Sequence, residues 1–482
     1  MKQRRMRTWI VLLMAAVALE LAGCGGGGGG GSGRPGVNVT RVGGGVQGLG
    51  GGFGGSHPSL SQDGRYVAIE ADFTNFDLVT PDTNNVSDIF IYDGVLKTTT
   101  RVSLPDGAAP LAQGNGDSTE PAITPNGRYV AFNSNATNLI AGPGDTNLAS
   151  DVYVRDINLL IPRTVRMSVG DGVPGTQAND DSYIAGNAVA IDNTVNVGDV
   201  LVAFYSFATN LFPALDNNGS THVYLRSCST DFLTCTTVPV DNTGVQGDGD
   251  SLDPSVSRNG RFVVYTSRAT NLVTGDTNNF ADIFVFDRVA GQNVRVSVDN
   301  NGVQGNGDSE FASISATGRY VVFTSRATNL VLGQVDNNAA TDVFLHDRDV
   351  SGSGVFDTPG NIRTTRVSVS SEGAQGNGAS NISILPVLSI SDDGKFVVYE
   401  TAATNFDPFG DTNVVTDIYL YNTVARTTSR LSVSAGGAEA NNFSVEAAIS
   451  GDGKVAAYSS LASNLVAGDT NTLSDVFVVT LP

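Results

Sequence analysis

Seven times along the chain an aspartate is followed two residues later by an asparagine: Asp82/Asn84, Asp145/Asn147, Asp216/Asn218, Asp276/Asn278, Asp336/Asn338, Asp411/Asn413 and Asp469/Asn471. In six of these a further aspartate stands four residues after the asparagine: Asp88, Asp151, Asp282, Asp342, Asp417 and Asp475. Oxygen ligands at positions one, three and seven open a calcium loop, because a hard cation takes carboxylate and amide oxygens. The glycine at six and the bidentate glutamate at twelve are missing here. The same spacing also builds an Asx turn, in which a side-chain oxygen accepts the N–H two residues on. The loops are therefore expected to be structural Asx turns on a polar, acidic face, with weak calcium binding as the lesser alternative and no other cofactor.

Other chemistry is sparse. The three histidines, His57, His222 and His346, are scattered without a His-x-x-x-His zinc pattern. His222 stands where the other repeats carry aspartate, and His57 precedes Pro58 as Glu120 and Asp253 precede prolines elsewhere, which reads as a loop position. No Gly-x-Ser-x-Gly nucleophile elbow occurs. Gly43, Gly45 and Gly48 match a dinucleotide-binding spacing, but no helix follows them, so no phosphate site is expected. A pair of carboxylates for glycoside hydrolysis remains open among so many acids. Against it, the one tryptophan, Trp9, lies in the N-terminal segment. A recurring asparagine (Asn75, Asn138, Asn210, Asn271, Asn329, Asn405 and Asn464) reads as a scaffold residue that satisfies loop backbone. No catalytic residue is expected.

The elements that hold these residues recur with a period of about 60 residues. Each repeat opens with a short run such as Pro254-Ser255-Val256-Ser257, then a turn such as Asn259-Gly260, then an apolar strand such as Phe262-Val263-Val264-Tyr265. The Asp-x-Asn loop follows, then a strand such as Asp282-Ile283-Phe284-Val285, then Arg295-Val296-Ser297-Val298. Turns of this kind need positive φ and join antiparallel strands. Strands apolar on both faces must be covered on both sides. With no helical periodicity after the N-terminal segment, the fold class is all-β, a seven-bladed β-propeller of four-stranded antiparallel blades. The seventh repeat lacks a fourth strand, and Val39-Thr40-Arg41-Val42 supplies its equivalent at the other end of the chain. The N-terminal strand is thus expected to complete the last blade and close the ring, removing two open sheet edges.

The Asp-Gly-Arg/Lys-aromatic-Val strand and the Asp-Ile/Val-Phe/Tyr-Val strand together resemble the bacterial TolB-type, WD-repeat-like propeller family, over residues 37–482. The resemblance implies the fold and leaves activity open, since propellers host unrelated functions. An extra N-terminal α/β domain of TolB itself is not evident, and the start of the chain differs. Lys2, Arg4, Arg5 and Arg7 precede an apolar run from Trp9 to Leu19, as in a secretory signal. Leu21-Ala22-Gly23-Cys24 resembles the lipobox of bacterial lipoproteins, which implies cleavage before Cys24 and its acylation. Residues 1–23 are thus read as a signal peptide, 24–36 as lipidated cysteine and glycine-rich tether, and 37–482 as propeller. The protein is expected to be exported and lipid-anchored, at the outer membrane if sorting follows the residue after Cys24. Cys228 and Cys235, flanking a six-residue loop in an exported chain, are expected to form a disulfide across a hairpin.

Removing residues 1–23 takes away four basic groups and one acid, moving the formal charge from −20 to −23. A body this acidic repels phosphate backbones and anionic lipid surfaces, so nucleic acid is not an expected partner and the membrane is met through the lipid anchor only. The leading functional expectation is a non-catalytic protein-interaction scaffold in the envelope with an unidentified protein partner. The alternatives are a carbohydrate-active hydrolase or lyase using carboxylates in the central funnel, or a calcium- or small-ligand-binding module.

Overall fold

A strand with four apolar residues in a row is stable only when both of its faces are packed. The computed structural model meets this demand by stacking seven sheets around an axis. It describes residues 34–42, 55–72, 82–107, 112–140, 144–158, 162–171, 175–196, 198–212, 218–241, 246–334, 336–381, 383 and 387–481. The signal segment, Cys24, the glycine run, the Gly43–Gly48 spacing, Asn75 and Asp216 lie outside the described residues. Arg34 packs against the propeller, its guanidinium meeting Asp407 at 2.9 Å and Glu439 at 3.6 Å.

Blade four shows the pattern. Ser251–Val256, Phe262–Ser267, Asp282–Asp287 and Gln292–Arg295 pair in sequence order, all antiparallel. The innermost strands of blades one, two, five, six and seven are Ser56–Leu60, Ser118–Ile123, Ser309–Ile314, Ser389–Ile390 and Ser444–Ile449. In blade three this strand is split into Ser182–Tyr183 and Val189–Ile191. Asn38–Arg41 pairs antiparallel with Asp475–Thr480, with Val39 opposite Val479, and makes the fourth strand of blade seven.

The core lies between blades. One cluster joins Val67, Ile69 and Phe90 of blade one to Ala448, Ala457 and Val476 of blade seven. The Asn-Gly or Asp-Gly turns between strands one and two help to set the spacing of the blades. Gly127 has φ +69°, and a Cβ there would lie 2.4 Å from the Tyr66 ring of the preceding blade. Left-handed backbone and close ring contact both require glycine at that point. Beside it, Arg128 pairs with Asp156 at 2.7 Å, tying the turn to the end of strand three.

Candidate functional site

The Asp-x-Asn loops of the six blades in which both residues are described fold first on themselves. In blade one the Asn84 N–H donates to Asp82 Oδ1 at 3.1 Å, and the Val86 N–H donates to Asn84 Oδ1 at 3.2 Å. Asn84 Nδ2 then donates to the Gly114 carbonyl, at 2.9 Å, in the segment leading to the next blade. Asn147, Asn278, Asn338 and Asn413 repeat that bond to Ala178, Gly305, Gly376 and Ala440. In blade seven Asn471 Oδ1 accepts the Leu473 N–H at 3.0 Å, and Asn471 Nδ2 donates to Asp475 Oδ2 at 3.2 Å. The amide oxygen that a calcium loop would aim at the ion, in Asn471 as in Asn84, Asn147, Asn278 and Asn413, instead accepts a backbone N–H two residues on. The aspartate opening strand three accepts a serine hydroxyl from beyond strand four, as in Ser297 to Asp282 at 2.5 Å.

The carboxylates of these loops turn inward onto an arginine from strand four. Arg295 Nη1 lies 3.1 Å from Asp276 and 3.3 Å from Asp282. Arg101 meets Asp82 and Asp88 at 3.5 and 3.4 Å, and Arg166 meets Asp145 and Asp151 at 4.0 and 3.1 Å. Arg366 holds Asp336 and Asp342, Arg430 holds Asp411 and Asp417, and Arg41 holds Asp469 and Asp475. In six blades a guanidinium thus bridges the two aspartates that the calcium reading takes as ligands. Burial pushes the Asp88, Asp151 and Asp417 carboxyls up to about 6, against the pull of those arginines and serines.

Blade three replaces the set as a unit. His222 stands for the aspartate, Asp241 for the serine and Pro239 for the arginine, and His222 Nδ1 lies 2.9 Å from Asp241 Oδ2. The cysteines expected to bridge are bonded, Cys228 to Cys235, across the hairpin of the same blade. His346 is buried, bonds Thr364 Oγ1 at 2.9 Å, and is pushed down to about 4 by that burial.

On the face carrying these loops the acids left exposed, Asp180, Asp248 and Asp250, come from the connections between blades and not from the Asp-x-Asn loops themselves. In the six loops held by arginine the carboxylates lie inside, and the residue after the asparagine is left exposed. It has positive φ in all seven loops: Asn85, Leu148, Gly219, Asn279, Ala339, Val414 and Thr472. Leu148 is 80% exposed and Val414 is 73% exposed.

A second group of polar side chains lines the channel. Five innermost strands carry a bulge that places one residue at positive φ: His57, Glu120, Asp253, Phe311 and Glu446. His57, read from sequence as a loop residue, is an inner-strand residue held between two acids. Its Nδ1 lies 3.2 Å from Glu70 and its Nε2 lies 3.3 Å from Glu446. Burial alone would push the imidazole down, but Glu446 and Glu70 outweigh it and raise it to about 10. Glu70 accepts the Glu120 N–H at 3.1 Å and Glu400 accepts the Glu446 N–H at 3.0 Å, so both latch one blade to the next. Burial, with Glu120 and Glu310 nearby, raises Asp253 to about 7. The signal that marks this ring in the sequence is a position that changes chemistry from repeat to repeat.

At the end formed by the turns between strands one and two, the Arg258 guanidinium meets Asp392 at 2.6 Å, and Gln62 Nε2 donates to Asp392 at 3.2 Å. These side chains come from blades four, six and one and tie them across the axis. Between this tie and the bulge residues lies a cavity walled by Pro58, Pro121, Pro254 and Ala312, with Ser255 and Asp253 on its surface. Its volume is about 80 Å³.

No protein-family model matches the chain, and no curated protein matches its sequence. Among solved structures, an oligogalacturonate lyase from Vibrio parahaemolyticus is 10% identical over 92% of this chain and 94% of its own, with a TM-score of 0.48. The β-propeller domain of the Trilobed protease from Pyrococcus furiosus is 10% identical, covering 89% and 96%, at 0.47. TolB from Acinetobacter baumannii is 12% identical, covering 87% and 81%, at 0.35. Identities this low concern the fold alone, and no activity passes to this chain with them.

Proposed function

We propose that this protein is a non-catalytic interaction scaffold of the bacterial envelope, held by lipid on Cys24 and meeting a protein partner through the face of the Asp-x-Asn loops. One observation carries the reading. Leu148 and Val414 occupy left-handed positions that asparagine fills in blades one and four, as Asn85 and Asn279. For leucine and valine that backbone is unfavourable, and exposure of an apolar side chain there adds nothing to the fold. Strain and exposed apolar surface on a rigid, internally bonded loop are features of a contact site. The arginine held by six of the loops supports a structural role for the aspartates over calcium.

Crosslinking and pull-down of the full lipidated chain from native envelopes tests this. A reproducible protein partner is expected, and Leu148→Asn with Val414→Asn should weaken its capture at least about tenfold while leaving the melting temperature equal or higher. Absence of a reproducible partner, or turnover of a polysaccharide panel by the pure protein, overturns the proposal.

A further inference from the structure

The channel holds an acceptor that the fold does not use. Ser59 Oγ accepts the Ile123 N–H of the next blade at 3.1 Å, and Ser389 Oγ accepts that of Ile449 at 3.1 Å. Ser313 Oγ is bonded by Asn187 Nδ2 across the channel at 3.2 Å. Ser255, in the same strand position of blade four, is 3% exposed, lines the cavity, and its Oγ has no partner among the described residues. A buried hydroxyl left unbonded loses free energy that a ligand donor would recover.

Two residues away, Asp253 also lines the cavity and makes no hydrogen bond or ion pair among the described residues, and Glu120 stands on the same wall. Asp253 is raised to about 7, as expected of a carboxyl that lacks a cation. The His57 imidazolium on the same lining is already held by Glu70 and Glu446. Prolines and Ala312 supply an apolar band beside these acceptors. Carboxylates disfavour an anion. Among the described residues no three His, Cys, Asp or Glu side chains gather as metal ligands, which disfavours a coordinated metal ion.

We propose that the cavity is a binding site for a small primary ammonium ion, whose N–H groups are accepted by Asp253, Glu120 and Ser255 Oγ while its short aliphatic body lies against the proline wall. The tie between Arg258, Gln62 and Asp392 crosses the channel at one end, so the ion enters past the bulge residues at the other. The site is independent of the contact face and stands or falls separately from it.

Calorimetric titration of the full chain with propylammonium chloride at constant ionic strength provides the test. Saturable one-site binding is expected, weakened about tenfold or more by Asp253→Asn and by Ser255→Ala, each charge-assisted bond contributing on that scale. Propanol, which lacks the charge, and tetramethylammonium, which lacks N–H donors, should give no saturable binding. Both variants should keep the wild-type melting temperature or exceed it, since neither group has a partner to lose. Absence of saturable propylammonium binding, equal affinity in both variants, or calcium binding at this site that Asp253→Asn abolishes would each overturn the proposal.

Discussion

His57 shows how one side chain can become necessary in a place the repeat does not require. Its ring separates Glu70 from Glu446, and its backbone N–H also donates to Glu446 at 2.9 Å. Replacement by glutamine leaves two partly buried carboxylates facing each other, at a cost of about 2–3 kcal/mol. The sign with pH follows from the raised imidazole. Its stabilisation is complete below about 6.5, the unfolded value, and is lost as pH rises through about 10. The difference in melting temperature between wild type and His57→Gln should therefore stay near its full size up to about pH 6.5 and shrink from there towards pH 10. Thermal melts at four or five pH values measure it, and a gap that widens with pH contradicts the ion-pair origin.

At the scale of the element, the loop and strand four form one unit closed by a guanidinium. Asp276 and Asp282 share Arg295, while Asn278 spans to Gly305 of the next connection. Arg295→Ala should cost about 3–5 kcal/mol, because it leaves two buried carboxylates without a counter-charge. That variant should then gain stability from millimolar calcium, since the ion binds the folded loop and not the unfolded chain. Wild-type melting should be unmoved by calcium or by chelator. Calcium stabilisation of the wild type, lost in Asp276→Ala with Asp282→Ala, would return the loops to the metal reading. The sequence shows the acids of this unit plainly, and blade three shows that its members change together, as His222, Asp241 and Pro239. What it does not show is the partner. Arg295 is brought to the loop by the pairing of Phe284 with Arg295, a register between strands, not a spacing along one.

For the whole molecule, the N-terminal strand joins the two ends of the chain. Asn38–Arg41 covers the edge of Asp475–Thr480, and Arg41 supplies the guanidinium for Asp469 and Asp475. A chain beginning at Gly48 should melt well below one beginning at Gly36. The stranded Asp469 and Asp475 alone cost about 3–5 kcal/mol, and the unpaired backbone edge adds to that. Calorimetry on the two chains decides it, and equal melting temperatures would remove the strand from the account of stability.

By itself the sequence determined the number of blades, their strand order and the chemistry of their turns. Those depend on contacts close along the chain: a glycine at positive φ, an asparagine two residues from its aspartate, apolar runs of strand length. It also indicated the permuted strand, because Val39-Thr40-Arg41-Val42 repeats a motif missing at the other end. Only the tertiary structure decided which way the loop carboxylates face, that Leu148 and Val414 stand exposed beside them, and that His57, Glu120, Asp253 and Glu446 line one channel. The physical reason is that these outcomes depend on groups from different strands and blades, brought together by sheet register and by closure of the ring, and a spacing along the chain carries no record of either.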